Sequence, residues 1–347
     1  LKPDPDVSAH GYRQLAVEPY GGVLLHTWLD RDLSLAGRVA TQTESGIQTT
    51  LIDFARPMLR IPNLAIHLFR EIREKGLKLD AQKHMVPLVG LDATPPIREL
   101  LATELKAQGL LNASSDQILS FDLMLYDTQP SSVIGSRGEF ISAPRLDNLA
   151  SSHAAITSLI RAQAHGGVPF TRVAVLYDHE EVGSRSAQGA AGTFLVNVLD
   201  RIASGYKGGE PQAMPRAAAA SRMISVDMAH AVHPNYPERH ESGHHPVVGR
   251  GPVIKFNANQ SYATDAETAG LFSALCRSQN VTPQQFVTRS DMACGSTIGP
   301  ISASQTGIRT ADVGNPMLAM HSCREMAGAE DVGPMIDVLT AFYTTEG

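Results

Sequence analysis

From about Gln117 onward, short runs rich in Val, Ile and Leu alternate with stretches of helical length, and charged residues stand where the runs stop. Residues 118–126, 172–177 (RVAVLY), 221–227 (SRMISVD) and 252–257 read as strands. Residues 146–165, 187–203, 264–279, 317–326 and 334–343 read as helices, the first of them carrying Leu149, Ile156, Leu159 and Ile160 on one face. Strands that are apolar along their whole length must be covered on both sides. The alternation therefore predicts an α/β fold, a sheet sandwiched by helices on both faces. The first third is different. Residues 11–17, 23–28, 31–43 and 47–54 are strand-like, with Gly21-Gly22 as a turn. Helices are expected at 63–75, behind Pro62, and at 96–108. A chain of 347 residues is long for one core, and two units are expected.

Composition narrows the function. A net charge of -6 argues against nucleic acid, since phosphate binding needs a basic surface. No apolar run approaches the ~20 residues that span a bilayer. Three widely spaced cysteines (Cys276, Cys294, Cys323) do not make a disulfide framework and fit a reducing, cytoplasmic setting.

Five polar clusters fall at the ends of the apolar runs, where α/β sheets place their ligand crevices. They are Asp147 in PRLDN, Glu180-Glu181 in YDHEEVGS, Asp227 in SVDMAHAVHP, Lys255 in GPVIKFN and His321 in LAMHSCREMAG. Two adjacent glutamates delivered into an apolar interior need a positive recipient, and a divalent metal is the simplest one. Carboxylate and imidazole donors together suit zinc and its neighbours rather than magnesium or calcium. Adjacent side chains point apart, so one glutamate can ligate while its neighbour handles the proton of an attacking water. Each cluster alone also has a plain structural reading. A Glu-Glu pair after a strand is often a solvated loop, Asp147 and Asp227 are suited to caps or turns, and His321 could be a satisfied core histidine. Lys255 is harder to dismiss, because a buried ammonium needs a partner. The patterns HExxH and GxSxG are absent, and Cys294 reads as a packed thiol.

In order along the chain, these motifs resemble the aspartyl aminopeptidases, a family of dimetal zinc exopeptidases that form tetrahedral dodecamers. The similarity includes YGG (20–22), WLDRDLSLAGRV (28–39), RIPNLAIHL (60–68), PRLDN (144–148), LYDHEEVGSRSAQGA (176–190), SVDMAHAVHPNY (225–236), GPVIKFNANQSYA (251–263), CGSTIGPISAS (294–304) and GNPMLAMHSCREMAG (314–328). The resemblance implies a zinc-exopeptidase-type catalytic domain at 118–347, with residues 1–4 as the tail of its N-terminal segment. A small β-rich dimerisation domain at 5–117 is inserted into it. Asp147 would bridge two divalent ions, zinc or else Co²⁺ or Mn²⁺, with Glu181 and His321 on one and Asp227 on the other. Glu180 would be the general base. Lys255, Tyr262 and His230 would line the pocket of a substrate peptide with an acidic first residue. His67 would reach a neighbouring subunit's active site and help stabilise the reacting carbonyl. Residues His84, His233, His240, His244 and His245 receive no role.

The family carries a His-x-Asp motif ahead of its counterpart of Leu1-Lys2-Pro3, contributing to the second metal. Residues 1–347 do not contain it, His10 does not replace it, and it is expected upstream. Two rivals remain on sequence grounds: a related dimetal aminopeptidase of neutral specificity, and a non-catalytic scaffold that kept the fold.

Overall fold

The computed structural model describes residues 1–206, Glu210 and 212–345. They form two compact units, Leu1–Pro130 with Ser322–Arg324, and Ser131–His321 with Glu325–Gly347.

The first unit holds β1 (Asp6–Ala9), β2 (Tyr12–Leu15), β3 (Leu33–Thr43), β4 (Gly46–Asp53), α1 (Ile72–Lys75), β5 (Leu88–Leu91), α2 (Ile97–Ala107) and β6 (Ile118–Asp127). These strands make sheets of order β1-β2-β5 and β4-β3-β6. The period-two alternation of β3 turns Leu33, Leu35 and Val39 inward. There they meet Phe121 and Leu123 of β6, Ile52 of β4, and Leu101 and Leu105 of α2. At Gly37 the β3 backbone has φ 156, and an added Cβ would lie 2.0 Å from the Asp122 carbonyl of β6, so only glycine fits the close approach.

Two expectations fail in this unit. Residues 23–28 end in a 3₁₀ turn, Leu25–Trp28, instead of a strand. The helix expected at 63–75 contracts to α1, because Leu64, Ile66 and Leu68 are exposed and give a longer helix no buried face. Strand β6, grouped from sequence with the catalytic part, pairs with β3 and so belongs here.

The second unit holds β7 (Ser132–Ile134), β8 (Phe140–Ala143), α3 (Leu146–Gln163), α4 (Phe194–Gly205), α5 (Ala213–Ala220), β9 (Arg222–Val226), β10 (Ala229–His230), β11 (Val253–Phe256), α6 (Ala266–Ser278), β12 (Gln284–Val287), α7 (Ile298–Thr306), β13 (Arg309–Gly314), β14 (Pro316–Leu318), β15 (Glu325–Gly328) and α8 (Val332–Thr344). Among the described residues the strands divide into β10-β14-β15-β8-β7 and β12-β11-β13-β9. The latter is mixed: β13 runs parallel to β9, β11 parallel to β12, and β11 antiparallel to β13. Ile254, Ala311 and Val313 of this sheet pack under Phe272 and Leu275 of α6, Met335 and Leu339 of α8, and Ala154 of α3.

Three helix expectations change in this unit. Helix α3 forms, but it buries its small residues Ser151, Ala154, Ser158 and Ala162, which let it approach α8 closely. The larger Leu149, Ile156 and Ile160 face outward. The helix expected from 187 begins only at Phe194, since Gly189 and Gly192 sit in tight turns against backbone carbonyls. Residues 317–326 are strands β14 and β15 joined by a turn, because Met317 and Leu318 pair with Ala327 and Met326. RVAVLY forms no strand and lies outside any ladder. It is tied down instead by Arg172, which donates to the carbonyls of Tyr343 and Ala162, and by the Tyr343 hydroxyl, which donates to Val173 O.

Candidate metal centre

All of the following lies in the second unit. Asp227 leaves the end of β9, and its N–H donates to Val313 O of β13 at 2.9 Å. At Gly314 a Cβ would fall 1.7 Å from Asp227 O, so β13 passes the acid as close as a backbone can. Asp147 stands at the head of α3, in a non-helical conformation, with the preceding Arg145 at φ 55. Asn148 donates its side-chain amide to Val226 O at 2.9 Å and so ties this corner to β9. The Asp147 and Asp227 carboxyls are hydrogen-bonded to each other.

Glu180 and Glu181 sit in a 3₁₀ turn, Glu180–Val182, entered through His179 at φ 60. The turn is closed by Gly183 N–H to Glu180 O and by Ser184 N–H to His179 O, both at 2.9 Å. His321, at φ 64, stands between β14 and β15. Its Nε2 is 3.2 Å from Glu181 Oε2 and 3.4 Å from Asp147 Oδ2. The ligand atoms of Asp147, Glu181 and His321 lie within 4.8 Å of one another.

The electrostatics fit a cation. Burial, reinforced by Glu181 and Asp147, pushes Glu180 up to about 7. Burial and Asp147 raise Glu181 as well. Of the paired aspartates, burial first and then Asp147 raise Asp227 to about 7, although Lys255 opposes the shift. Asp147 moves down: burial works against it, but the His321 and Asp227 hydrogen bonds prevail. Four carboxyls thus crowd one corner, with Lys255 as the near ammonium. Such a set is costly without added positive charge. Carboxylates with one imidazole are a donor set suited to zinc.

Lys255 is 2 % exposed. Its Nζ donates to Asp227 O at 3.0 Å, Met228 O at 3.2 Å and Asp227 Oδ2 at 3.4 Å, and lies 5.3 Å from the Tyr262 ring centroid. His230, at the end of β10, and Tyr262 both meet Phe286 of β12 edge-on, with centroids 5.7 and 6.3 Å apart. His67 is not among the residues gathered in this unit; it occupies an exposed turn of the first one.

Two residues that join the groups were not singled out from sequence. Phe286 lies in QQFV, a stretch that was given no element from sequence. Glu325, in EMAG, is buried at the head of β15, and its carboxylate accepts the backbone N–H of His321 and of Asp147. The only signal was an acid four residues beyond His321 within the same motif.

A family model described as aminopeptidase I zinc metalloprotease (M18) matches residues 1–343. The chain belongs to the M18 family. Consistent with this, it is 50 % identical over 349 residues to a probable M18 family aminopeptidase 2 of Stutzerimonas stutzeri, covering 99 % of this chain and 78 % of that one. Among solved structures, a chain in a complex of Ape4 with Nbr1 superposes with TM-score 0.94 at 40 % identity, covering 99 % of this chain and 69 % of that one. A chain described as the S. cerevisiae mApe1 dodecamer superposes with TM-score 0.80 at 31 % identity, covering 99 % and 77 %. This M18 chain is therefore a metallo-aminopeptidase with the mixed α/β fold of its relatives. None of its described helices is long and apolar enough to cross a membrane.

Proposed function

We propose that this M18 aminopeptidase removes Asp or Glu from the N-terminus of peptides, using two divalent ions, zinc in the first instance. The single observation carrying the proposal is the convergence of Asp147, Glu181 and His321, from three distant stretches of chain, on a volume one ion would fill. Asp147, Glu181 and His321 would hold one ion, and Asp147 and Asp227 would contribute to the second. When bound, zinc supplies Lewis acidity and lowers the pKa of water.

The chain's own residues do the rest. Glu180, already near neutrality, takes the proton of the attacking water and returns it to the leaving amine. Lys255 has one long contact, to Asp227 Oδ2, that a cation competing for this carboxylate would release. The freed donor faces a substrate carboxylate through a charge-assisted hydrogen bond. Tyr262 and His230, braced by Phe286, wall the same pocket. His67 is assigned to the active site of a neighbouring subunit, where it would stabilise the reacting carbonyl. That role needs an assembly, and a dodecamer built from dimers through the β-rich part is proposed, acting in the cytoplasm.

One observation favours a second reading, an aminopeptidase without acidic preference. The ammonium of Lys255 already has three acceptors within the protein and is closed to solvent. The two readings separate on kcat/KM for aspartyl-, glutamyl- and leucyl-substrates with wild type and Lys255→Ala. Selective loss on the acidic pair supports the proposal; equal loss on all three leaves Lys255 as a brace for Asp227 only. Metal analysis of the purified protein tests the centre itself.

A further inference from the structure

Glu325 has no place in the chemistry above, yet it touches two of its principal residues. Its side chain is shut off from water, 2 % exposed. One carboxylate oxygen accepts the His321 N–H at 2.6 Å, and the other accepts the Asp147 N–H at 2.9 Å. Both amides fall outside regular pairing. His321 sits in the left-handed region between two strands, and Asp147 lies in the first turn of α3, where no preceding carbonyl is available. Without an acceptor, the backbone at each ligand would be free to turn, and the direction of its side chain with it.

We propose that Glu325 is a positioning residue of the metal centre: one carboxylate clamps the backbones of Asp147 and His321, fixes the spacing of their side chains and so sets the affinity for the cation. The inference rests on the reading of Asp147, Glu181 and His321 as metal ligands. It makes a chemical demand that a merely space-filling acid would not. Two N–H donors need two acceptor oxygens. Glutamine offers one oxygen and turns an NH₂ toward the second donor. Aspartate keeps both oxygens but is one methylene too short to span the same pair of amides. Either change loosens a ligand's backbone without altering the identity of any ligand side chain.

A control for plain destabilisation is built into the same unit. Asp331 is equally buried, and its two oxygens accept the N–H of Gly249 and Gly251 at 2.7 and 2.8 Å, bracing a loop rather than a ligand. Wild type, Glu325→Gln, Asp331→Asn and His321→Ala are stripped of metal and titrated with zinc against a chromogenic chelator, and the Tm of each metal-free protein is recorded. The expected result is zinc binding weakened about 10- to 100-fold in Glu325→Gln. Asp331→Asn should lose Tm but keep its affinity. Wild-type affinity in Glu325→Gln overturns the clamp, and so does an equal loss of affinity in Asp331→Asn. If Glu325→Gln does not fold, Glu325→Asp is titrated by the same criterion. His321→Ala separates the two claims. If it binds zinc like wild type, the ligand assignment itself fails. If it loses zinc while Glu325→Gln does not, only the clamp fails.

Discussion

Glu180 and Asp227 are both raised to about 7, with burial as the largest cause. For Glu180 that value suits a group that must accept and then give up a proton near neutral pH. Glu180→Gln keeps the shape and removes the base. It is expected to retain zinc while kcat falls about 10²- to 10⁴-fold; turnover near wild type at equal zinc content would take Glu180 out of the proton chemistry. The raised values also predict a pH signature for metal removal. A carboxyl whose folded pKa exceeds its unfolded one stabilises the fold most while protonated, and that contribution is lost as pH rises through the folded value. The chelated protein should therefore lose Tm between about pH 5 and 8, whereas bound zinc, which favours the ionised forms, reverses the trend. The zinc-induced rise in Tm should grow with pH over that window. A rise that stays flat in Tm scans across the range contradicts the assignment of these carboxyls to the metal.

At the scale of elements, the ends of strands carry the site, and their legibility differed for physical reasons. Strands β3, β4, β9 and β11 and helices α2, α6 and α8 stand within a few residues of where periodicity put them, because each buries one consistent face or both. Asp227 and Lys255 could be seen for the same reason, as charges interrupting apolar runs. What failed was decided by tertiary partners that one segment cannot report. RVAVLY has strand composition but lies outside the ladders, and 317–326 has helical composition but pairs with itself and β8. Glu325 was illegible because its carboxylate joins the nearby His321 amide to that of Asp147, 178 residues away, a pairing only the fold creates. Gly314 offers a test at this scale, since it sets how closely β13 approaches Asp227. Gly314→Ala must push the two strands apart, at about 1–3 kcal/mol for an overpacked interior. A Tm lower by several degrees is expected, together with weaker zinc binding in the chelator titration. A wild-type Tm would mean that the close approach is not needed.

For the whole molecule, the open question is what covers the turn bearing His67. In a single chain, Leu64, Ile66 and Leu68 around it are 57 %, 43 % and 75 % exposed, an apolar concentration that solvent disfavours and that marks interaction surfaces. Burying this turn against another subunit would remove the exposure and carry His67 to that subunit's site. The two deficient proteins, His67→Ala and Glu180→Gln, can complement each other only if a site draws on two chains. After mixing, dissociation and reassembly, a site with an intact Glu180 facing an intact neighbouring His67 arises in about a quarter of random pairings. Activity should then rise above the sum of the parents, toward about a quarter of wild type, in fractions that light scattering shows to be reassembled. If such fractions are no more active than the unmixed parents, His67 acts within its own chain or outside the chemistry, and the apolar turn must be explained by packing alone.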